Sequence, residues 1–256
     1  MIVLKTAHEI DAMRRAGKIT AAARALAGEM VKPGVSTKAI DRAVHDFIVG
    51  QGGRPAFLRY NGYPASTCIS INDRVIHGIP DSVKIKEGDI VSVDVGVFID
   101  GYNGDCAATY IAGTGSSEVR KLVEVTRQSF FEGIKFARAG CRISDISHAV
   151  QQYAERHGYS VVREYVGHGI GEKMHEDPEV PNYGNPGHGP RLMPGMTIAV
   201  EPMVNMGGAA VRVLDDGWTV VTKDGKPSAH YENTVLITAG DPEILTPLDG
   251  DGGDVL

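Results

Sequence analysis

Residues 88–94 read GDIVSVD, and residues 195–201 read GMTIAVE. Each run is a glycine, an apolar strand-like segment and then a carboxylate. A second correspondence lies upstream: Gly34, Ile40, Ala43, Val44 and Gly52 recur 106 positions later as Gly140, Ile146, Ala149, Val150 and Gly158. Phe47 matches Tyr153 in kind. The apolar matches share the spacing of a buried helix face, so composition could supply some of them. The separate strand match lowers that risk. The chain therefore reads as one domain of 1–256 built from two related halves, about 1–113 and 114–248. Each half offers helix, helix, strand, strand, with an acid at the end of a strand. The expected class is α+β with pseudo-twofold symmetry.

Local signals fill in the elements. Thr6 with Glu9 forms a capping-box pattern. Ile10, Met13, Ile19, Leu26 and Met30 then recur at helical intervals until KPG at 32–34. Ser36 or Thr37 caps a second helix to about Val49. Ser116 or Ser117 starts a third through about Ala137, and Ser144 a fourth ending near Gly158. Cys68–Ile71 and Ile90–Ile99 read as strands, as do 160–166, 196–201, 211–213, 218–222 and 229–238. The acidic, glycine-rich tail at 249–256 is expected to be loose.

Composition excludes several function classes. A net charge of −6 with scattered basic residues leaves no footprint for nucleic acid. Cys68, Cys106 and Cys141 are odd in number and contain no CxxC pair, against both a disulfide framework and a thiolate metal site. The N-terminus lacks the apolar run of a signal peptide, and no stretch approaches the roughly 20 residues of a spanning helix. A cytoplasmic protein without membrane contact is expected.

The densest chemistry is VDVGVFIDGYNGDCAATY, residues 93–110. Asp100-Gly101 predicts a two-residue hairpin turn, which sets Asp105 opposite Gly96 and leaves Asp94 two residues away on the same face. A register slip of two would oppose the aspartates directly. Two ionised carboxylates so placed repel and need a cation, a shared proton or water, and Gly96 would leave room for an ion. Taken alone, the pair reads more readily as two solvated turn acids. Glu201 ends the apolar strand of IAVEP, where an unpaired charge is costly. Glu232 lies in AHYENTVLIT, whose alternation puts His230, Glu232, Thr234 and Leu236 on one face. Four such acids suggest a central cluster of formal charge −4, which two divalent cations would neutralise.

VGHGIGEKMHEDP, residues 166–178, contains His168 and His175 seven apart. Gly167, Gly169 and Gly171 argue against a helix there, since each costs about 1 kcal/mol relative to alanine. The acids lack an imidazole, and His168 is the natural candidate.

His77, Asp94, Asp105, His168, His175, Glu201 and Glu232, in this order and spacing, resemble the methionine aminopeptidases of the pita-bread fold, in their bacterial type I form. NGYPASTCISINDRVIHGIP, GHGIGEKMHEDP, IAVEPM and HYENTVLIT carry the same likeness. The resemblance implies two pseudo-symmetric halves around a central antiparallel sheet flanked by helices. It implies that Asp94 chelates one divalent ion, that Asp105 and Glu232 bridge two, and that His168 and Glu201 complete the ligand set of the other ion. An oxygen-rich set with one nitrogen suits Co(II), Mn(II) or Fe(II). Glu201 would move the proton of the attacking water, and His77 and His175 would hydrogen-bond the peptide and the developing oxyanion. Phe57, Tyr60, Tyr63, Cys68, Met174 and Trp218 would line the methionine pocket. Phe57 and Met174 depart from many bacterial relatives, which have cysteine and phenylalanine there. The other histidines (8, 45, 148, 157, 188 and 230) are expected to be structural or solvated.

The implied reaction is removal of the initiator methionine from nascent polypeptides, favouring small second residues. The protein would act as a monomer, near the ribosome. The alternatives are an Xaa-Pro aminopeptidase or prolidase-like enzyme and a non-enzymatic binding protein on the same scaffold. The prolidase group usually adds an N-terminal domain, and only about 70 residues precede His77. A nucleotide site at GHGIG is disfavoured, because the GxGxxG spacing is absent.

Overall fold

The computed structural model describes residues 1–247; the tail at 249–256 lies outside the described residues. Two helices open the chain, α1 (Ala7–Met30) and α2 (Thr37–Gly50). Strands β1 (Arg54–Pro55), β2 (Thr67–Ile71), β3 (Arg74–Ile76), β4 (Ile90–Ile99) and β5 (Tyr102–Ile111) follow. The order then repeats with helices α3 (Ser117–Ile134) and α4 (Ile143–Arg156). After them come β6 (Ser160–Val161), β7 (Gly167–Gly169), β8 (Glu176–Val180), β9 (Thr197–Val200) and β10 (Met203–Asn205). The last strands are β11 (Val211–Val213), β12 (Val220–Thr222), β13 (Ser228–His230), β14 (Glu232–Leu236) and β15 (Glu243–Ile244).

The central sheet runs β1-β4-β5-β14-β9-β7-β8, with β2 also on β4 and β15 also on β14, and its pairings are antiparallel. Helices cover one face. Val91, Val93, Val95 and Val97 of β4 are fully buried against α1 and α2 in one apolar cluster. Burying a valine contributes about 1.5–3 kcal/mol. Ile198, Val200 and Val235 pack with α3 and α4 in a second cluster. Alternation along each strand sends the intervening side chains to the opposite face, where Asp94, Asp105 and Glu232 lie.

The sequence repeat has a conformational basis. Gly34 and Gly140 have φ of 87° and 92°, Gly52 and Gly158 79° and 85°, Gly88 and Gly195 84° and 90°. These left-handed turns admit glycine at little steric cost. Ile40, Val44, Ile146 and Val150 are all fully buried.

Several expectations shift. Helix α1 begins at its predicted capping box, with Glu9 N–H donating to Thr6 Oγ1 and Thr6 N–H to the Glu9 carboxylate. Of its large apolar residues only Met13 is buried; the inward face is Ala12, Ala16, Gly17, Thr20, Ala23 and Ala27. Small residues let the helix lie close to the sheet: a Cβ on Gly104 of β5 would come 2.6 Å from Thr20 Oγ1. Helix α4 starts at Ile143, because Asp145 accepts from Arg142 N–H (2.7 Å) while Ser144 Oγ bonds His188. Helix α3 ends at Ile134, three residues early. The 160–166 run keeps only two strand residues. The 229–238 run breaks at Tyr231, with β13 joining β10 and β14 joining β5 and β9. Asp94 sits in the middle of β4 rather than at a strand end.

Candidate metal centre

The hairpin of β4 and β5 sets the first two acids. Asp100 and Gly101 both have positive φ, 52° and 87°, as a type I′ turn requires. The register then places Asp105 opposite Gly96 and Asp94 opposite Ala107. The aspartates are diagonal neighbours on one face, and the slip that would oppose them does not occur. The space over Gly96, expected to leave room for an ion, is taken by side chains. A Cβ there would meet Phe57 Cε1 at 2.6 Å and Met174 Cε at 2.9 Å, so two side chains fill it.

Long-range pairing brings the rest. β14 lies on β5 with Glu232 opposite Ala107. β9 lies on β14 and ends at Val200, so Glu201 emerges beside Glu232. β7 lies on β9 with His168 opposite Ala199. The glycines flanking His168 serve close packing: a Cβ on Gly167 would come 2.3 Å from Ala199 O, and one on Gly169 2.1 Å from Asp177 O.

His168 Nε2 stands 3.7 Å from Asp105 Oδ2 and 3.7 Å from Glu201 Oε1. Its Nδ1 is 2.8 Å from Gly169 O, an acceptor that requires the proton on Nδ1 and turns the Nε2 lone pair toward the acids. Ligand atoms of Asp105, His168 and Glu232 lie within 4.8 Å of one another, as do those of Asp94, His230 and Glu232. Asp94 Oδ1, Asp105 Oδ1, Glu232 Oε1 and His230 Nε2 are buried and lack hydrogen-bond partners.

Burial, and then mutual repulsion, pushes Asp94 and Glu232 well above the usual carboxylate range; burial and Asp105 do the same to Glu201. Asp105 is pushed up to about 7 by burial. Burial lowers His168 to about 3, and burial with the neighbouring His175 lowers His77 to about 4. The imidazoles are therefore neutral, the form that ligates. Buried acid oxygens without partners beside neutral imidazoles fit divalent cations: an oxygen-rich shell with open lone pairs is what such ions complete.

A cavity of about 190 Å³ ends at these residues. Phe57, Tyr60, Tyr63, Cys68 and Trp218 line it, with His77 and His175. Met174 does not: it is buried behind Phe57, among Met13, Ile170 and Leu236. Asn61 lines the cavity and was not anticipated. Tyr63 and Trp218 meet edge to face at 5.1 Å. Burial raises the Cys68 thiol, so it is a wall and not a nucleophile. His175 is exposed at the mouth, 2.7 Å from Tyr60 Oη through Nδ1, with its ring 4.3 Å from that of His168. His77 is half-buried with φ of 57°, an uncommon backbone state for this residue type. A wider cleft of about 640 Å³ continues outward from His168 and His175 past Lys5, Glu9, Glu172, Glu176 and Glu179.

Two further residues escaped the sequence reading. Arg24 of α1 is fully buried, with Nη1 3.0 Å from Glu232 O and 3.2 Å from Ala107 O, so it clamps the β5–β14 junction under the acids. An arginine on a helix gives no sequence signal of this. His230 is 2% exposed; its alternation with Glu232 was the available signal.

Metallopeptidase family M24 matches residues 11–239. A methionine aminopeptidase of Clostridium perfringens is 56% identical over 246 residues, 96% of this chain and 99% of that protein. The methionine aminopeptidase structure from Thermotoga maritima superposes with a TM-score of 0.95 at 46% identity, covering 97% of this chain and 100% of the other. A prolidase from Pyrococcus furiosus gives a TM-score of 0.78 at 24% identity, over 96% of this chain and 66% of its own, a likeness of fold alone.

Proposed function

Because this chain belongs to metallopeptidase family M24 and is a metallo-aminopeptidase that removes N-terminal methionine, we propose the following division of labour among its residues. Asp94, Asp105, His168, Glu201 and Glu232 would hold two divalent ions, Co(II), Mn(II) or Fe(II). Bound ions would activate a water molecule and polarise the scissile carbonyl.

The single observation that carries this reading is a blind aromatic cavity closed at its inner end by partnerless acids. Phe57, Tyr60, Tyr63, Cys68 and Trp218 take the thioether side chain; a sulfur–aromatic contact contributes about 0.3–1.5 kcal/mol. Met174 braces Phe57 from behind. Glu201 accepts the proton of the attacking water and passes it to the departing amine. His77 and His175, as neutral imidazoles, donate to the peptide and to the developing oxyanion, where removing one donor costs about 2.7–4 kcal/mol. The crowding of Tyr60, His168 and His175 at the mouth favours a small second residue, and the outer cleft receives the rest of the chain. The substrates are N-termini of nascent polypeptides. We assign the work to a cytoplasmic monomer acting close to the ribosome.

The test compares Met-Ala-Ser with Xaa-Pro peptides on chelated protein and on protein reloaded with Mn(II) or Co(II). Hydrolysis of Met-Ala-Ser that vanishes on chelation and returns with metal is expected. Turnover indifferent to chelation would remove the two-ion mechanism, and preference for Xaa-Pro would replace methionine as the substrate.

A further inference from the structure

We propose that His230 is a second nitrogen ligand of the metal centre, on the side of Asp94. The inference rests on the dinuclear reading above and extends it. His230 comes from β13, which pairs with β10 outside the central sheet, yet its ring reaches the acids. Its Nε2 lies 3.8 Å from Glu201 Oε2 and 3.8 Å from Glu232 Oε2. His168 faces Asp105 and Glu201 at 3.7 Å each. The two imidazoles thus address their acids at nearly the same separation.

That separation is too long for a hydrogen bond, which needs roughly 2.7–3.2 Å. It suits two ligand atoms that meet one ion at an obtuse angle, each about 2.0–2.2 Å from it as in zinc sites. The nitrogen is also buried and partnerless, in a residue 2% exposed. A purely structural histidine at this depth would be expected to have found an acceptor. The backbone at His230 is fixed on both sides: its N–H donates to Thr109 Oγ1 at 2.9 Å, and that hydroxyl donates to His230 O at 2.9 Å.

The centre then consists of two overlapping groups, Asp105–His168–Glu232 and Asp94–His230–Glu232, with Glu232 common to both. Each ion has its own imidazole. The second nitrogen moves the Asp94 site away from Mn(II) and toward Co(II) or Fe(II), since imidazole suits the later ions better.

Proton NMR of the Co(II)-loaded protein tests this directly, because a ligating imidazole gives a solvent-exchangeable N–H resonance shifted far downfield by the paramagnetic ion. Two such resonances are expected in the unaltered protein. His230→Gln should remove one and His168→Gln the other, and titration calorimetry of His230→Gln with Co(II) should show at least a tenfold loss of affinity at one site. Affinity alone would not separate a ligand from a group that orients one, since outer partners also cost 10–100-fold; the resonance count does. One resonance, lost only in His168→Gln, would overturn the role of His230 and leave the centre standing. No shifted resonance in the unaltered protein, or no Co(II) bound, would overturn the centre itself. The unaltered protein's spectrum decides even where a variant folds poorly.

Discussion

Asp105 and His175 line the same cavity but answer to different constraints. Asp105 is buried, partnerless at Oδ1 and pushed up to about 7 by burial. Asp105→Ala should therefore lose bound metal and activity together, read by metal analysis alongside turnover. His175 is exposed and tied to Tyr60. His175→Ala should lower kcat roughly 10²–10³-fold, the scale of one lost oxyanion donor, with metal content unchanged. Loss of metal from that variant would show the histidines to be wrongly divided. Gly96 supplies a third test. A methyl there would strike Phe57, so Gly96→Ala should raise KM for methionyl peptides while metal stoichiometry holds. Identity and order were legible for the seven acids and histidines that the structure gathers around one cavity. The occupants of the space over Gly96 were not, because Met174 and Phe57 reach it from loops distant in sequence.

Among the elements, helix α1 is the one most open to experiment. Its capping box satisfies the first turn from both directions, and Thr6→Ala should cost about 1 kcal/mol in denaturant unfolding. The sign of its pH dependence follows from Glu9, whose carboxyl is lowered to about 2, chiefly by the Thr6 hydrogen bonds and then by Tyr102. A depressed folded value gives stability that is present above the ordinary 4.5 and lost as pH falls toward 2. The difference between the unaltered protein and Thr6→Ala should shrink over that window; a constant difference would show that the cap does not act through Glu9. Caps, turns and the β4–β5 hairpin were readable because their signals are local. The face that α1 buries was not. Its large apolar residues stay partly exposed because the sheet lies too close to admit them, and alanines and glycines take the inner side. The break at Tyr231 was equally invisible, since alternation continues across it while the strand changes partner.

For the whole molecule, the four buried acids govern how stability responds to pH and metal. Asp94, Asp105, Glu201 and Glu232 all have folded values above their ordinary ones in the metal-free protein. A raised folded value means that the fold favours the protonated acid. Its contribution is full below the unfolded value near 4 and is lost as pH rises through the folded value, about 7 for Asp105. Chelated protein should therefore melt at a lower temperature at pH 8 than at pH 5. Added metal should stabilise it more at pH 8, with proton release at pH 5 to 6. A chelated protein whose melting temperature rises over that range would contradict the buried-acid cluster. No helix among the described residues is long and apolar enough to cross a membrane.

The order of acids and histidines, the repeated left-handed glycines and the hairpin turn were determined by sequence alone, because each depends on residue type at short range. From them came the α+β class, the family and the five expected ligands. Which side chains share one face of one sheet was decided only by tertiary pairing. β14 inserts between β5 and β9, and β13 turns His230 inward from a separate sheet. Hydrogen-bond register between strands distant in sequence, such as Glu232 opposite Ala107, sets those distances, and no local pattern encodes it.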